Sequence, residues 1–407
     1  MKLGLIGNPL GHSWSPQIHS FFLKDSTYDL WPLKEDELDD FFARKDFDGI
    51  NVTIPYKQTV MQYLDEIDDT ARTIGAVNCI VNDHGRLIGH NTDWIGFMDM
   101  VKAAGIEING KKCAVFGSGG ASKAACAAIR KMNGTPVAVS RHPKENQISY
   151  ADLKDEYAVL INATPLGMKP DDDAMPVDPA LFPGCEAVVD IVANPLKTRF
   201  CFEAGLSGKK TLGGFEMLVR QAAAADLLFT GKAVSEEQIR ACMKMLYGRM
   251  RSLVLIGMPT SGKSTIAAEV SRRSGRKLIE MDEEIEKKLG MSIRECFDRY
   301  GEAYFRKAES EMAASLKEAG GCVISCGGGI IKNKENMRML SENGLVAWLD
   351  RDPALLFGTG SRPLSQNKDD IARLYEERKP LYEMYADVRI ENNGNPEDTV
   401  EEVMKLL

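Results

Sequence analysis

The sequence lacks the features that mark nucleic-acid-binding, secreted and membrane-spanning proteins. Its 51 Lys and Arg are outnumbered by 59 Asp and Glu, which gives a formal net charge of -8, and no basic block offers a footprint for nucleic acid. No apolar run approaches the length of a bilayer span, and residues 1–16 do not have the pattern of a signal peptide. We therefore expect a cytoplasmic protein that binds neither nucleic acid nor a membrane.

Paired cysteine spacings are also absent. The nine cysteines are scattered along the chain and none belongs to a CxxC pair. The one close pair, Cys322 and Cys326, has no histidine near it in sequence. This pattern favours reduced, structural thiols over a metal site.

The sequence does have the length of a multidomain protein and a regular alternation of short apolar runs with helical patterns. A chain of 407 residues exceeds the size at which a single hydrophobic core keeps growing, so two or three domains are expected. Short apolar runs, such as those at 113–117 and 187–192, alternate with helical patterns. This alternation is typical of α/β proteins with parallel sheets.

A domain boundary is predicted where the alternation restarts. Two helix-like stretches, at 215–229 and 235–247, follow each other with no strand between them. A new strand, a glycine-rich turn and a helix then begin at about Leu253. We place the join near Arg249.

The glycine-rich turn at 117–122, GSGGAS, lies between a strand and a helical pattern. Such a turn lets the backbone approach a pyrophosphate, and the free amides and positive dipole end of the helix face the phosphates. Ser122 replaces the third fingerprint glycine, and a plain strand-to-helix turn is the alternative. The next strand ends at Arg141, followed by His142 and Lys144, where an NAD-binding protein would carry an acidic residue. Basic groups favour a 2′-phosphate, so NADP(H) is predicted.

Polar clusters precede this turn at strand ends or in loops, where functional side chains are common. Ser13 and Ser15 offer two hydroxyls before a helix, and Ser15 with Pro16 also fits an N-cap followed by N1. Lys57 and Asp93 are a cation and a carboxylate. A lysine held near a carboxylate can donate a proton to the alkoxide that forms in ketone reduction, whereas spacing alone fits a surface salt bridge equally well.

Eight ordered segments over residues 1–247 resemble shikimate dehydrogenase: GNPLGHSWSP, NVTIPYK, GAVNCI, GHNTDWIGF, FGSGGAS, NATPLGM, VVDIVANP and GGFEMLVRQAA. The resemblance implies a substrate-binding α/β domain at 1–97, rejoined by helices at 215–247, and a Rossmann-type NADP domain at 98–214. A homodimer formed through this half is a further expectation.

The same resemblance assigns roles to individual residues. Lys57 and Asp93 form the catalytic pair. The residues that would bind shikimate are Ser13, Ser15, Thr53, Lys57, Asn78, Asp93 and Gln221. The residues that would bind NADP(H) are Gly117, Gly119, Gly120, Ala121, Ser140, Arg141, Ile191 and Gly214. The family usually carries a tyrosine that touches substrate where this chain has Ala193, which predicts weaker substrate binding or relaxed specificity.

The segment GMPTSGKST, 257–265, is a full match to the phosphate-binding loop pattern between a strand and a helix. In such a loop the backbone amides wrap the phosphates, Lys263 neutralises the β/γ charge and the Ser264 hydroxyl ligates Mg²⁺. Beyond it, Glu280 and Asp282 fall on one face of an extended chain. One can organise Mg²⁺ and the other can hold the acceptor hydroxyl; the alternative is a solvated acidic helix start.

Further along the chain, Arg306 and Glu309 fall at i, i+3 on a helix, and the glycines at 327–329 follow a strand. Arg306 and Arg378 suggest an anionic acceptor, because guanidinium groups pair with carboxylates in bidentate fashion. Arg362, in a Gly/Ser-rich stretch, would be a mobile lid cation that reaches the transferring phosphate.

Together GMPTSGKST, MDEEIE, GEAYFRKAE, SCGGG, SRPL and ERKPLY resemble shikimate kinase across 251–407, which implies a third domain at 250–407 with the P-loop fold of nucleoside monophosphate kinases. The residues that would attend to ATP are Gly257, Thr260, Ser261, Gly262, Lys263, Ser264, Thr265 and Arg362. Those that would bind shikimate are Asp282, Arg306, Gly328 and Arg378. Lys263 and Asp282 would be catalytic, and Ser264, with Glu280 as a second candidate, would hold Mg²⁺.

Three features depart from the kinase family: Glu280 stands where an aspartate is usual, the segment before Arg362 is short, and it carries no arginine to stack on adenine. The leading hypothesis is a bifunctional enzyme that makes shikimate with NADPH and phosphorylates it with ATP, towards chorismate and the aromatic amino acids. An active dehydrogenase with a non-catalytic, ATP-binding kinase-like domain is the alternative. A quinate-type dehydrogenase joined to an unrelated P-loop kinase is a third.

Overall fold

The protein divides into two compact units, Met1–Met243 and Lys244–Leu407. They are described by a computed structural model that covers residues 1–11, 13–356 and 368–407. The boundary falls inside a helix, Glu236–Met250, a few residues before the predicted join near Arg249. The three domain ranges expected from the sequence stay a prediction.

The first unit contains a mixed six-stranded sheet. Its strands, in the order β2-β1-β3-β5-β6-β4, are β1 Lys2–Ile6, β2 Thr27–Trp31, β3 Gly49–Val52, β4 Glu66–Ile67, β5 Cys79–Asp83 and β6 Arg86–His90. Strand β5 is antiparallel to both β3 and β6. The expectation of parallel sheets is wrong here, because His84 and Gly85 both have positive φ and form the two-residue turn of a hairpin.

A second six-stranded sheet in the same unit is entirely parallel. Its order is β12-β11-β10-β7-β8-β9, with β7 Lys112–Phe116, β8 Thr135–Val139, β9 Gln147–Ile148, β10 Val159–Asn162, β11 Ala187–Asp190 and β12 Lys210–Leu212. The strand order reverses between β7 and β10, and ligands of such sheets bind at the carboxyl ends of the strands beside this reversal. Buried apolar clusters cover both faces, which is why these strands are continuous apolar runs.

The helices of the first unit alternate with these strands, except for α7 and α8, which follow the last strand. They are α1 Ser15–Phe22, α2 Leu38–Arg44, α3 Asp69–Ile74, α4 Asp93–Ala103, α5 Gly120–Lys131, α6 Arg199–Leu206, α7 Phe215–Thr230 and α8 Glu236–Met250, the last of which crosses the unit boundary. Short 3₁₀ helices span Glu35–Glu37, Thr59–Tyr63, Tyr150–Asp152 and Pro179–Leu181. Helices α1, α4, α5 and α7 begin at the polar clusters and glycine-rich turns.

The second unit is built on one parallel sheet of five strands, in the order β14-β15-β13-β16-β17. The strands are β13 Ser252–Ile256, β14 Leu278–Glu280, β15 Val323–Ser325, β16 Gly344–Asp350 and β17 Val388–Glu391. The helices are α9 Lys263–Ser274, α10 Met281–Leu289, α11 Ile293–Ser315, α12 Lys334–Ser341, α13 Lys368–Tyr385 and α14 Pro396–Met404, with 3₁₀ turns at Ile330–Lys332 and Pro353–Leu355. Helix α11 is kinked at Gly301, which has φ of 79°. The α/β architecture agrees with the expectation.

All nine cysteines are free thiols, and all but Cys322 are buried. Within residues 1–11, 13–356 and 368–407, no helix combines the length and the apolar character needed to cross a bilayer.

Candidate active sites

The charged pair singled out in the sequence is formed. Lys57 lies in the turn after β3, and Asp93 is the first residue of α4. Their Nζ and Oδ2 atoms are 2.6 Å apart, with the side chains 21% and 9% exposed. Because both groups are largely shielded from water, the contact is stronger than an exposed salt bridge, and the surface alternative does not describe it.

A buried amide network holds the carboxylate of this pair. Asn78 Nδ2 donates to Asp93 Oδ1 at 2.8 Å and to Thr92 Oγ1 at 3.0 Å, and the Thr92 amide donates to Asn78 Oδ1 at 2.6 Å. The Gln221 Oε1 atom, on α7, lies 3.4 Å from Asn78 Nδ2 and 3.3 Å from Thr92 Oγ1. The structure therefore brings Lys57, Asn78, Asp93 and Gln221 together, and adds Thr92.

Of the predicted hydroxyl residues, Ser15 is linked to this network through Tyr28 and Asn51. Ser15 is the first residue of α1 and Trp14 is its N-cap, so the interpretation of Ser15 as an N-cap is wrong; Ser13 Oγ instead accepts from the Ser15 amide at 3.2 Å. The side chain of Ser15 is hydrogen-bonded to Tyr28. Thr53 starts the turn that carries Lys57, and its amide donates to Ile6 O at 2.9 Å.

Near Ser15 on α1 lies a buried histidine–aspartate contact that the sequence analysis missed. His19 Nδ1 and Asp226 Oδ1 are 2.5 Å apart, and the two side chains are 1% and 0% exposed. The His19 ring stacks on Tyr28 with centroids 4.2 Å apart. Tyr28 donates from its hydroxyl to Asn51 Oδ1 at 2.8 Å, and Asn51 Nδ2 lies 3.4 Å from Asn78 O. The pair thus stands at the far end of the network that holds Asp93, and it joins residues 207 positions apart.

The glycine-rich turn has the geometry that a dinucleotide requires. Gly117 follows β7 with φ of 116°, and Gly119 is the N-cap of α5. A Cβ at Gly119 would meet no atom within 4 Å, and one at Gly120 would lie 3.8 Å from Lys57 Cδ. Ala121 follows in the first turn of α5. The open turn at the start of α5 therefore lies directly beside Lys57, as bound NADP(H) would require.

The remaining predicted cofactor residues lie at the carboxyl edge of the same sheet. Ser140 follows β8 and is buried, and Arg141 is exposed; the charge of Arg141 reaches Tyr150, although burial is the larger effect and raises the pKa of that phenol. Ile191 follows β11. Gly214, the N-cap of α7, lies so close to it that a Cβ would stand 2.0 Å from Ile191 O, so only glycine fits there.

A buried carboxylate that the sequence analysis did not single out ties this edge together. Asp190 accepts from Thr198 Oγ1 at 2.7 Å, from the Val192 amide at 3.0 Å and from Asn162 Nδ2 at 3.0 Å. Burial raises the pKa of Asp190 to about 6. A charged residue inside the apolar run VVDIV was the signal that could have identified it.

In the second unit the phosphate-binding loop joins β13 to α9. Gly257, Thr260 and Gly262 have positive φ values of 151°, 64° and 92°, which favour glycine, and glycine occupies two of these three positions. The Ser261 carbonyl accepts from Asn392 Nδ2 at 2.7 Å. Lys263 is 6% exposed, and its ammonium donates to the carbonyls of Gly257 and Met258 at 3.0 and 2.8 Å.

The two candidate magnesium ligands are adjacent. Ser264, an exposed residue like Thr265 beside it, has its hydroxyl 3.2 Å from Glu280 Oε2. Burial raises the pKa of Glu280, and its hydrogen bonds to Ser325 and Ser264 oppose this. Two oxygens of this kind fit Mg²⁺, which prefers oxygen ligands and keeps several waters.

The residues predicted to bind the acceptor lie around one loop, the glycines at 327–329. A Cβ on Gly327 would lie 2.6 Å from Asp282 Oδ1, and one on Gly329 would lie 2.5 Å from both terminal nitrogens of Arg306. Arg378, which is buried, donates to Gly328 O at 2.8 Å. The structure thus brings Asp282, Arg306, Gly328 and Arg378 together.

Several details of this loop were not foreseen. Glu280 ends β14 and is the N-cap of α10, so Asp282 is helical and the expectation of one extended chain is wrong. The i, i+3 pair of Arg306 and Glu309 noted in the sequence is formed: Arg306 Nη1 donates to Glu309 Oε2 at 2.8 Å, and Glu309 is 2% exposed. Burial raises the pKa of Glu309, and the guanidinium opposes this. Tyr382 donates to Gly328 O at 2.8 Å. Arg362 lies outside the described residues.

Comparison with known proteins identifies both halves. Residues 5–80 match the family model of the shikimate dehydrogenase substrate binding domain, and residues 259–407 match that of shikimate kinase. The shikimate dehydrogenase (NADP(+)) of Clostridium perfringens is 37% identical over 270 residues, which cover 59% of this chain and 97% of that protein. The chain belongs to the shikimate dehydrogenase family.

Solved shikimate dehydrogenase structures match a similar share of the chain. A chorismate mutase/shikimate 5-dehydrogenase fusion protein from Clostridium acetobutylicum is 35% identical, with a TM-score of 0.56, and the match covers 60% of this chain and 96% of that one. The enzyme of Thermus thermophilus in complex with NADP(H) and shikimate is 32% identical, with a TM-score of 0.56 and coverage of 60% and 99%. In the present chain the segment that matches the shikimate kinase model, residues 259–407, comes after the shikimate dehydrogenase part in sequence.

Proposed function

We propose that the first unit reduces 3-dehydroshikimate to shikimate with NADPH. The observation that carries this proposal is the Lys57–Asp93 contact of 2.6 Å beside the open glycine turn of α5. The amide side chains of Asn78 and Gln221 beside the pair suit the hydroxyl groups of a polyhydroxy acid. The relatives named for this activity support the proposal.

Lys57 is the group that supplies the proton. Bound NADPH would provide the hydride. As the new C–H bond forms at the keto carbon, the carbonyl electron pair moves to oxygen, which takes a proton from Lys57 Nζ. Asp93 holds the ammonium at the site and is itself oriented by Asn78. In shikimate oxidation the same nitrogen accepts the hydroxyl proton.

Oxidation of shikimate with NADP⁺ and with NAD⁺ tests this proposal. We expect the wild-type protein to prefer NADP⁺, and Arg141→Ala to lose most of that preference because Arg141 would pair with the 2′-phosphate. Quinate in place of shikimate tests the substrate. Preferential quinate oxidation, or an unchanged coenzyme preference in Arg141→Ala, would contradict these assignments.

We further propose that the second unit transfers the γ-phosphoryl group of ATP to the 3-hydroxyl of shikimate. The observation that carries it is the loop at 327–329, against which Asp282, Arg306 and Arg378 lie; a carboxylate and two guanidinium groups suit an acceptor that has both a hydroxyl and an anionic group. Asp282 accepts the hydroxyl proton as the oxygen bonds to phosphorus and the bond to the ADP oxygen breaks. The arginines pair with the shikimate carboxylate, and Lys263 stabilises the transferred charge. Ser264 and Glu280 would hold Mg²⁺, which offsets charge on the phosphates.

Shikimate-dependent release of ADP by the full-length protein, with Lys263→Ala as control, tests the kinase. We expect turnover that requires both shikimate and Lys263. Binding of ATP with no turnover, together with intact shikimate oxidation, would instead favour the non-catalytic kinase-like domain.

A further inference from the structure

Arg351 lies beside the phosphate-binding loop although it belongs to none of the motifs. It is the first residue after β16, the strand that pairs with β13 through Ile256 and Trp348. Its Nη1 atom lies 3.9 Å from the position that a Cβ on Gly262 would occupy. Gly262 is the last residue of the loop before α9, so this guanidinium stands next to the backbone amides that open the helix.

The chain on both sides of Arg351 is anchored. The Asp350 carboxylate accepts from Tyr375 OH at 2.9 Å and from Arg389 Nη2 at 2.7 Å. The amide of Asp352 donates to Asn393 Oδ1 at 2.7 Å. Since neighbouring Asn392 donates to Ser261 O in the phosphate-binding loop, the end of β16, the end of β17 and the loop form one hydrogen-bonded group. The position of Arg351 is therefore set by the fold.

The charge of Arg351 is not used within the described part of the chain. Asp350 is paired with Arg389, and Asp352 Oδ1 accepts from the Ala354 amide at 2.8 Å. Among the residues described, Arg351 forms no ion pair, and its Nε atom is buried without a hydrogen-bond partner. A guanidinium with a shielded, unsatisfied donor is costly unless an anion completes the site.

We propose that Arg351 binds the α- and β-phosphates of the nucleotide. This inference rests on the proposed kinase function and adds a nucleotide-binding residue to it. In phosphate-binding loops the backbone amides cradle the α- and β-phosphates, while the loop lysine reaches the β- and γ-phosphates. Arg351, next to the final loop residue, adds a charge-assisted contact that ATP and ADP share. It contributes to nucleotide binding and not to the transfer step, which Lys263 serves.

The experiment is a calorimetric titration of Mg·ADP into the full-length protein and its variants. A hydrogen bond to a charged group of the size expected here makes Mg·ADP bind about tenfold to a hundredfold more weakly to Arg351→Ala. Arg351→Gln, which keeps most of the side chain, shows a similar loss, and Arg351→Lys recovers part of the affinity. Arg272→Ala is the matched control, because Arg272 is exposed on α9 and pairs with Glu269.

Kinetics supply the second readout. The KM for ATP should rise in parallel with the ADP dissociation constant, with kcat at saturating ATP changed by no more than about twofold, as expected when binding of ground and transition states is lost equally. Unaltered Mg·ADP affinity in both Arg351→Ala and Arg351→Gln overturns the inference and leaves the kinase proposal standing. A wild-type protein that binds no Mg·ADP overturns the kinase proposal and this inference with it.

Discussion

In the first unit the central cation faces its partner carboxylate, whereas in the second the central cation faces its own loop. Lys57 Nζ is 2.6 Å from Asp93 Oδ2, but Lys263 Nζ donates to the carbonyls of Gly257 and Met258. The Lys57–Asp93 pair is thus assembled by opposite charges, and it needs no ligand to form. In the second unit, phosphate oxygens of the proposed nucleotide would replace these carbonyl oxygens around the lysine, so we expect the nucleotide to complete part of that site.

Removing Lys57 tests the role of the charged pair in the first unit and has the largest expected effect. Lys57→Ala should lower kcat for shikimate oxidation by about 10²- to 10⁴-fold, because the reaction loses its positioned acid–base group. The same preparation should phosphorylate shikimate normally, which controls for folding. A loss of both activities would contradict the independence of the two sites.

In the first unit a titratable group, Asp190, ties the loops at the end of the sheet together, whereas in the second unit an amide does so. A pH titration tests this difference. In the first unit Asp190 has a folded-state pKa of about 6 against an ordinary value of 3.8, so between these values the folded state holds the extra proton. The stability of this unit should therefore fall as pH rises from about 4 to about 6, by up to about 3 kcal/mol. In the second unit the corresponding tie, Asn392 to Ser261, does not titrate.

Denaturant unfolding at several pH values measures this difference. Asp190→Asn should flatten the pH dependence of the first unit's transition, because the variant has no ionisable group there. Asn392→Asp is the reciprocal change in the second unit and should introduce a pH dependence. An identical slope in wild type and Asp190→Asn would show that other groups are responsible.

The next prediction concerns the close contact between Gly214 and the backbone of Ile191. Gly214→Ala would place a methyl group 2.0 Å from Ile191 O, and the shift needed to relieve this clash should raise the KM for NADP⁺ by about tenfold, as a strained contact of about 1–3 kcal/mol implies. Gly205→Ala is the matched control, since its nearest neighbour would be Thr211 Cγ2 at 4.0 Å. Equal behaviour of the two variants would contradict a role for the Ile191–Gly214 contact.

The smallest expected effect comes from shortening the side chain of Glu280 to that of an aspartate. Glu280→Asp should draw the carboxylate away from Ser264, which now lies 3.2 Å from Glu280 Oε2, and raise the Mg²⁺ concentration needed for half-maximal activity by about fivefold, as loss of about 1 kcal/mol implies. Glu283→Asp, exposed on the same helix, should have no effect. A lower Mg²⁺ concentration for half-maximal activity in Glu280→Asp would contradict this prediction and show that aspartate is the better magnesium ligand at this position.

Local patterns account for what could be predicted from the sequence. The glycine turns at Gly117 and Gly257 lie between a strand and a helix as expected, because the backbone conformations they need are encoded within a few residues. The Lys57–Asp93 contact was suggested by charge, but only the resemblance favoured it over a surface pair. The hairpin at His84–Gly85 escaped, because its turn lacks the usual asparagine or aspartate before glycine.

Long-range contacts account for most of what could not be predicted. His19 and Asp226 meet from positions 207 residues apart, and no spacing rule connects them. Asp282 is helical because α10 begins at once after β14, a boundary that an acidic run does not reveal. Arg351 carries no motif, and its place beside Gly262 follows from the pairing of β16 with β13.

The most direct test of the bifunctional account is a single reaction mixture of full-length protein, 3-dehydroshikimate, NADPH, ATP and Mg²⁺, analysed for shikimate and its phosphate. We predict that shikimate 3-phosphate accumulates with consumption of both NADPH and ATP, that Lys57→Ala forms it only when shikimate is supplied, and that Lys263→Ala stops at shikimate. Accumulation of shikimate without phosphate by the wild-type protein would contradict the account.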